Sequence, residues 1–357
     1  MAPTPTVSIV MPAYGVEDYI GKAIACVQAQ TLTDWELIVV DDASPDQSAA
    51  IAQTRAETDT RIKIVHHTHN QGLSAARNTG IDHASGRYLW LPDPDDTYDA
   101  DLLQSCVRAL EDHHAEVVVF GVCEAYYDQD GSFSYEHKIK PHPGNYDTPQ
   151  AVHGRLLQLE QETCYGYAWN KIYRRDLLER SHVRFRDVKL IEDISFNVSV
   201  FDHVSRMVVL ESTPYRYARR IAGNLTNKFL PDYFPLHEQR IQLLLDQQKR
   251  WGTLDDTARG ILGGLYARYV LSAAERNCGP QAHMTHADRV TWIRMVMESD
   301  LYKELIPSAH AAQSKALSQA IRTLQSRKAW RILTLARVTH IVRSNFLPLF
   351  TKIKSGR

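Results

Sequence analysis

Short apolar runs alternate with segments of helical periodicity through the first hundred residues. Four runs are rich in β-branched or aromatic residues, which is typical of buried strands: Val7–Met11, Trp35–Val40, Arg61–Val65 and Tyr88–Leu91. Apolar residues recur at helical spacing within residues 19–27 and Leu73–Ala84, and Ser44 followed by Pro45 predicts the start of a helix between the second and third strands. This alternation predicts a parallel, twisted α/β sheet whose ligands bind beyond the carboxyl ends of its strands.

The pattern changes in the second half of the chain. Asp101–His113 has helical periodicity, Glu116–Val122 is another apolar strand, and Tyr126–Tyr146 is polar enough for a loop or an edge hairpin. Beyond Pro231 every periodic segment is helical: Tyr233–Trp251, Asp256–Asn277, Ala287–Leu301 and the residues from Ser308 onward. We therefore expect an α/β domain over residues 1–229, a helical domain over 230–310 and a separate tail over 311–357.

Charge is distributed unevenly along the 357 residues. Ten of the 41 Lys and Arg residues lie in residues 311–357, which contain no Asp or Glu, so 31 basic residues face 42 acidic ones in the rest of the chain. Cations beside Trp330 and Phe346 suit an anionic membrane surface. The alternatives are a contact between copies of the chain and nucleic acid, and we place nucleic acid last because the body is acidic and carries no nucleic-acid motif.

Three features that the sequence lacks predict the cellular compartment of the protein. The five cysteines form no Cys-x-x-Cys pair, which favours a reducing compartment. No apolar run approaches the roughly 18 residues of a membrane span, and Met1 to Thr6 has no secretory pattern. We expect a cytoplasmic protein that the basic tail holds at the inner face of the cell membrane.

An acidic segment, Asp93-Pro94-Asp95-Asp96, directly follows the fourth strand. Its three carboxylates repel one another unless a cation lies among them, and oxygen ligands favour Mg²⁺ or Mn²⁺. A solvated acidic turn is the alternative, because Asp and Pro are common turn residues. The chain has no glycine-rich phosphate loop, so a bound diphosphate would have to be neutralised by a metal ion and by cationic side chains.

Six segments occur in an order that resembles one enzyme family. They are Val7-Ser8-Ile9-Val10-Met11-Pro12-Ala13-Tyr14, Val39-Val40-Asp41-Asp42-Ala43-Ser44, Asn70-Gln71-Gly72-Leu73-Ser74-Ala75-Ala76-Arg77-Asn78, Asp93-Pro94-Asp95-Asp96, Trp169-Asn170-Lys171-Ile172-Tyr173-Arg174-Arg175, and Glu192-Asp193 with Phe196-Asn197. Together they resemble family 2 glycosyltransferases with the GT-A fold over about residues 7 to 226. Gly15 and Pro94 depart from the pattern of many members.

The resemblance implies a Rossmann-like, mostly parallel sheet with helices on both faces, followed by a helical C-terminal domain. It also implies inverting, metal-dependent transfer of a sugar from a nucleotide donor, such as a UDP-hexose or UDP-N-acetylhexosamine, to a hydroxyl of a glycan or lipid-linked glycan in surface polysaccharide synthesis. The positions that match the family's donor-base contacts are Pro12, Ala13, Tyr14 and Asp42.

The remaining site residues are implied in the same way. Arg77 matches a cation on the donor side, and Asp93 and Asp95 match the motif that holds the ribose and the metal ion. Asp193 matches the general base, with Glu192 beside it. A helix N-terminus would also explain these two acids, and both interpretations can hold together.

Arginines after the last strand complete the implied site. Arg219 or Arg220 would close over the diphosphate, and a solvated arginine run is the alternative. The segment Asn224-Leu225-Thr226 resembles the small polar residues that accompany this arginine in the family.

Two other classes of protein compete with the transferase. A nucleotidyltransferase could use the same sheet and metal, but it would need a glycine-rich, lysine-bearing phosphate loop, which the chain lacks. A catalytically inactive binding or scaffold protein is disfavoured because Asp93, Asp95 and Asp193 are all present.

Overall fold

A computed structural model describes residues 4–128, 130–188, 190–220, 231–311 and 314–345. The chain divides into two compact units, Met1–Leu225 and Thr226–Arg357. The boundary expected at residues 229 and 230, the Asn224-Leu225-Thr226 segment and the last twelve residues of the basic tail lie outside the described residues.

One ten-stranded sheet forms the centre of the first unit. Its strands are β1 (Val7–Ala13), β2 (Trp35–Asp41), β3 (Ile62–His66), β4 (Tyr88–Trp90), β5 (Thr97–Tyr98), β6 (Val117–Tyr127), β7 (Phe133–Ile139), β8 (Gly144–Tyr146), β9 (Lys171–Arg174) and β10 (Met207–Arg219). The main path runs β3-β2-β1-β4-β9-β6-β10-β5, while β7 pairs with β6 and β8 pairs with β10. The polar segment expected as a loop or hairpin contains β7, which forms an antiparallel hairpin with β6.

Strand directions show that the sheet is mixed. Strands β1, β2, β3, β4, β6 and β10 run one way, and β5, β7, β8 and β9 run the other. Strand β9 is inserted antiparallel between β4 and β6, so the parallel order expected from the first hundred residues ends at β4. The carboxyl ends of the six strands that share a direction therefore lie along one edge.

Seven helices accompany the sheet in the described part of the first unit. They are α1 (Glu17–Gln28), α2 (Ser48–Thr58), α3 (Leu73–His83), α4 (Leu102–Asp112), α5 (Pro149–Gln161), α6 (Arg175–Ser181) and α7 (Glu192–Phe201). Helix α2 begins four residues after the expected cap, Ser44. The Ser44 hydroxyl donates instead to the carbonyl of Ala13, and its backbone N–H donates to the Asp41 carboxylate, so Ser44 builds the turn between β2 and α2.

The second unit is helical in its described residues. Its helices are α8 (Tyr233–Trp251), α9 (Asp256–Arg276), α10 (His286–Glu298), α11 (Asp300–Leu305), α12 (Lys315–Gln325) and α13 (Ala329–Asn345). Helix α9 contacts all the others, and buried Ile321, Leu324 and Ile332 hold α12 and α13 in this core. The segment expected as a separate tail thus begins with two packed helices of the same compact unit.

No helix in the described ranges is both long enough and apolar enough to span a membrane.

A close approach of α3 to β1 fixes the position of that helix. A Cβ atom at Gly80 would overlap the Val10 side chain, so only glycine allows this spacing. We expect Gly80→Ala to lower the free energy of unfolding by about 1–3 kcal/mol, because overpacking outweighs the better helix propensity of alanine.

Chemical denaturation can measure this loss. The control is Gly154→Ala in α5, where no atom lies within 4 Å of the new Cβ. Alanine there should be neutral or should stabilise the chain by up to about 1 kcal/mol. Equal effects at the two glycines would contradict the packing argument.

Candidate active site

The acidic and aromatic candidates collect at one edge of the sheet. Tyr14 follows β1, Asp42 follows β2 and Asp93 follows β4, and these three strands are neighbours or near neighbours that run in the same direction. Helix α7 contributes Glu192 and Asp193 from its first turn. The sheet edge predicted from the strand pattern is therefore where these side chains lie.

Arg77 of α3 is at the centre of this site. Its guanidinium donates to Asp193 Oδ1 at 2.6 Å and to Asp93 Oδ1 at 2.8 Å, although the residue is only 1% exposed. Burial alone would lower the pKa of Arg77, but Asp193 and Asp93 raise it above its usual range. A buried cation between two carboxylates ties the β4 edge to the start of α7.

Asp193 and Glu192 are held differently. Asp193 Oδ2 accepts a hydrogen bond from the Ala168 backbone N–H at 3.0 Å, so both of its oxygens have protein donors. Glu192 Oε2 is buried and has no hydrogen-bond partner among the described residues. Burial, followed by the charge of Asp193, raises the pKa of Glu192 to about 7. Glu192 is therefore the acid of the pair that changes charge near neutral pH.

The three aspartates after β4 have distinct surroundings. Asp93 faces Arg77, and burial together with Asp95 and Asp193 raises its pKa to about 6. Asp96 is 2% exposed and accepts from the Tyr215 hydroxyl at 2.7 Å and the Ala218 N–H at 2.8 Å. Asp95 has the most exposed carboxylate, at 37%. Asp96 therefore fastens β10 to the acidic segment, whereas Asp95 is open to a ligand.

A divalent cation would find a partial site here. No group of three or more His, Cys, Asp or Glu side chains within the described ranges could by itself enclose a metal ion. Partial burial raises the pKa of Asp95, and its charge in turn raises that of Asp93, so a cation between these carboxylates would relieve their repulsion. Two carboxylates suit Mg²⁺ or Mn²⁺ that takes its other ligands from substrate phosphates and water.

The two arginines at the end of β10 have different partners. Arg219 donates to Glu124 at 2.5 and 3.0 Å, and its guanidinium lies over the Tyr217 ring. Arg220 donates to the Asp95 carbonyl at 2.9 Å and lies 3.4 Å from the Asp95 carboxylate. Arg220 is thus next to the acidic segment, while Arg219 is committed to the β6 strand.

The residues expected around the donor base are only partly open. Pro12 and Ala13 are buried in β1, whereas Tyr14 is 51% exposed. Asp42 is buried and accepts from the backbone N–H groups of Gln71 and Gly72, both at 2.8 Å, and pairs with His67 at 2.6 Å. Asp42 therefore shapes the loop that leads into α3, and Tyr14 is the side chain that can stack on a ligand.

Comparison with known proteins identifies the family. The model for glycosyl transferase family 2 matches residues 8–181. The protein named "Uncharacterized glycosyltransferase EpsJ" from Bacillus subtilis is 33% identical over 239 residues, which are 67% of this chain and 67% of that protein. This chain is a family 2 glycosyltransferase.

Two further comparisons extend this result. Glycosyltransferase GlyA of Streptococcus pneumoniae is 30% identical over 251 residues, which are 67% of this chain and 34% of GlyA, so the chain spans about a third of that relative. The crystal structure of S. aureus TarS 1-349 with UDP-GlcNAc superposes with a TM-score of 0.63 at 18% identity and covers 93% of this chain and 90% of that one. This likeness confirms the GT-A fold with a helical C-terminal region.

Two features of this candidate site were not predicted from the sequence. Lys171 is fully buried and donates to the carbonyls of Cys164 and Tyr167 at 2.9 and 2.6 Å. Burial lowers its pKa to about 7. It thereby holds the loop whose Ala168 N–H donates to Asp193. Its place in the Trp169-Asn170-Lys171 segment marks it as a family position, but sequence alone does not indicate burial.

The second missed feature anchors α7. Asn78 of α3 exchanges two 2.8 Å hydrogen bonds with the Phe185 backbone, and the Ser74 hydroxyl donates to the Arg186 carbonyl at 2.8 Å. These bonds hold the segment that precedes Glu192 and Asp193 against the helix that carries Arg77. Ser74 and Asn78 belong to one of the segments that resemble the family, so the sequence marks their positions. It does not indicate that they bond to the backbone of Phe185 and Arg186.

Arg77 should control stability in a pH-dependent way. In Arg77→Met, Asp93, Asp193 and Glu192 lose their cation, so we expect a loss of about 3–5 kcal/mol in unfolding free energy at pH 8. The loss should be smaller at pH 5, because protonation of Asp93 and Glu192, whose pKa values are about 6 and 7, removes the uncompensated charge.

Denaturation at both pH values is the measurement. Arg155→Met is the matched control, since Arg155 is also buried but pairs with a single carboxylate, Glu162, which is 24% exposed. The loss at Arg155 should be the same at pH 5 and pH 8. A loss at Arg77 that is equally independent of pH would contradict the charge balance described here.

Proposed function

We propose that this glycosyltransferase moves a sugar from a nucleoside-diphosphate donor, a UDP-hexose or UDP-N-acetylhexosamine, to a hydroxyl of a glycan or lipid-linked glycan. The reaction inverts the anomeric centre and belongs to surface polysaccharide synthesis. One observation carries the proposal: Arg77 joins Asp93, on the acidic segment, to Asp193, at the start of α7. The TarS crystal structure that contains UDP-GlcNAc supports the choice of donor class.

Asp193 is the proposed general base. It accepts the proton of the acceptor hydroxyl as that oxygen forms a bond to the sugar C1, while the bond from C1 to the diphosphate oxygen breaks. Arg77 and the Ala168 N–H keep the carboxylate oriented, and each oxygen keeps a second lone pair for the acceptor. Glu192, beside it, adds negative charge that is sensitive to pH near neutrality.

Asp93 and Asp95 are the proposed metal ligands. A bound Mg²⁺ or Mn²⁺ would neutralise the diphosphate and stabilise the charge that develops on it. Arg220 is the better candidate for a diphosphate contact, since it lies at Asp95, whereas Arg219 is bound to Glu124. The contacts of Arg77 favour a positioning role, because its guanidinium is buried between two carboxylates and has little surface for a donor.

Tyr14 is the proposed stacking partner of the donor base, at the end of β1. Pro12, Ala13 and Asp42 shape this subsite from within, because they are buried and Asp42 holds the loop before α3. The acceptor is proposed to be presented at the inner face of the cell membrane, where the basic C-terminal residues would meet anionic lipid.

The first test separates acceptor activation from donor binding. Asp193→Asn should reduce transfer at least a thousandfold, while the donor dissociation constant changes less than threefold, because the base contacts the acceptor and not the nucleotide. Transfer is followed by product formation, and donor binding by calorimetry.

Glu192→Gln is the matched control at the neighbouring position. It should retain transfer and shift the acid limb of the pH–rate profile, since it removes a group that titrates near pH 7. If Asp193→Asn weakens donor binding but leaves turnover intact, Asp193 is a donor ligand and the proposed role is wrong.

The second test concerns the metal ion. Asp95→Ala should abolish Mn²⁺-dependent binding of nucleoside diphosphate together with activity, because Asp93 alone holds the ion too weakly to offset the diphosphate charge. Calorimetric titration of Mn²⁺ in the presence of UDP gives a readout that does not depend on turnover.

Asp99→Ala is the control, because Asp99 follows the acidic segment and its partly exposed carboxylate pairs with Arg216 at 3.5 Å. It should leave both the binding of Mn²⁺ and activity near wild type. Full activity of the wild-type enzyme in excess chelator would overturn the metal assignment.

A further inference from the structure

The helical unit contains a cavity of about 500 Å³ between α10 and α13. Four arginines line it, Arg289, Arg294, Arg327 and Arg337, together with His286. The rest of its lining includes Val290, Met297, Trp330 and Leu333, and no carboxylate of the described residues belongs to the lining. The cavity therefore combines an apolar floor with a strong positive potential.

Much of this positive charge lacks an acidic partner. Arg327 donates to Glu298 at 2.6 Å. Arg289 interacts electrostatically with the exposed Asp288, but it donates to the Met284 carbonyl, and its buried Nε has no partner among the described residues. Arg294 and Arg337 form no ion pair with a carboxylate in the described part of the chain. An anion in the cavity would supply the missing acceptors.

Exposed apolar side chains lie on the same two helices. In the described residues of the helical unit, the large hydrophobic side chains that are exposed are Met295 of α10 and Trp330, Val338 and Ile341 of α13, at 64, 65, 53 and 47%. Positions 330, 334, 337, 338 and 341 follow helical i, i+4, i+7, i+8 and i+11 spacing, so they share one face of α13.

A second face of α13 is also apolar. Ile332, Leu333 and Ala336 are buried in the helical core, and His340 bonds to Glu275 of α9 at 2.9 Å. Packing in the helical core thus explains why the buried face is apolar. It does not explain why the exposed face is apolar as well. Because apolar residues lie on both faces, the sequence of α13 has no single apolar stripe.

We infer that this surface, defined by Arg294, Met295, Trp330, Arg337, Val338 and Ile341 and called here the α10–α13 face, docks the enzyme on an anionic phospholipid membrane. The cavity beside it takes the phosphate of a lipid headgroup. An exposed tryptophan with aliphatic and cationic neighbours is the composition of a membrane-interface surface. The inference extends the proposed function, because it names the residues that bring the enzyme to a membrane-borne acceptor.

Two other occupants suit the α10–α13 face less well. A symmetric contact with a second copy of the chain would bring Arg294 and Arg337 of both copies to one interface without carboxylates to pair them. A nucleic acid would pair with the arginines but would leave Met295, Val338 and Ile341 exposed to water. A lipid surface satisfies both the charges and the apolar side chains.

Flotation with vesicles tests the inference without turnover. The full-length protein should bind vesicles of phosphatidylglycerol in phosphatidylcholine and ignore pure phosphatidylcholine. Arg294→Ser/Arg337→Ser should weaken binding by about thirtyfold, since each basic group near an anionic membrane contributes about fivefold in affinity. Thermal denaturation verifies that the variant is folded.

A control with the same change in charge separates a defined face from diffuse attraction. Lys315→Ser/Arg322→Ser removes two exposed cations from α12 of the same unit and should weaken binding less than threefold. Equal losses in the two double variants would overturn the inference, and so would binding that neither variant changes. A failed donor or metal test would leave this result untouched, because binding is measured without a nucleotide.

Tryptophan fluorescence locates the contact. Brominated phosphatidylglycerol vesicles should quench part of the emission of the six tryptophans, and Trp330→Phe should remove that quenched part. Inorganic phosphate should neither reproduce the quenching nor, at matched ionic strength, displace the protein from vesicles. Retained quenching in Trp330→Phe would contradict the assignment of the contact to the α10–α13 face.

The oligomeric state tests the alternative occupant. If the protein does not bind vesicles and Trp330→Ser changes its mass from oligomer to monomer, a second copy of the chain covers the α10–α13 face and the inference is wrong.

Discussion

The buried guanidinium of Arg77 is the interaction on which the arrangement of this site depends. Desolvation of an arginine is costly, and the bonds to Asp93 and Asp193 offset that cost only if α3, the β4 edge and α7 hold their positions. The close contact between Gly80 and Val10 sets the height of α3 on the sheet, and Asn78 fastens the segment before α7. Helix α3 therefore positions both the acidic segment, which is proposed to hold the donor, and Asp193, the proposed base.

The same arrangement leaves the site rich in negative charge. Arg77 is shared by two carboxylates and Glu192 adds a third nearby. Burial, together with the neighbouring carboxylates, raises the pKa values of Asp93 and Glu192. Such a surplus is unfavourable, and a bound cation would relieve it. This charge supports the proposal that a sheet edge without a glycine-rich phosphate loop binds a diphosphate together with a metal ion.

Strands β1 to β4, the helices of the second unit and the acidic segment could be predicted from the sequence, because each depends on local periodicity or composition. The two-residue strand β5 could not, because it is too short to show a pattern. The helix cap predicted at Ser44 was wrong, because Ser44 bonds to Ala13 and builds a turn instead. The antiparallel insertion of β9 beside β4 could not be predicted, because it is decided by contacts between strands far apart in sequence. The burial of Lys171 and the different partners of Arg219 and Arg220 could not be predicted, because they depend on contacts between residues far apart in sequence. Which apolar residues of α13 are buried and which are exposed could not be predicted either, because that also depends on contacts with other helices.

A crystal structure with UDP and Mn²⁺, with anomalous scattering recorded for manganese, tests the central claim most directly. The account predicts that Arg77 keeps its bonds to both Asp93 and Asp193, and that the manganese peak lies at Asp95 and the diphosphate. If Arg77 instead turns to the diphosphate and releases Asp193, the arginine is a donor ligand, and the claim that it positions the base is contradicted.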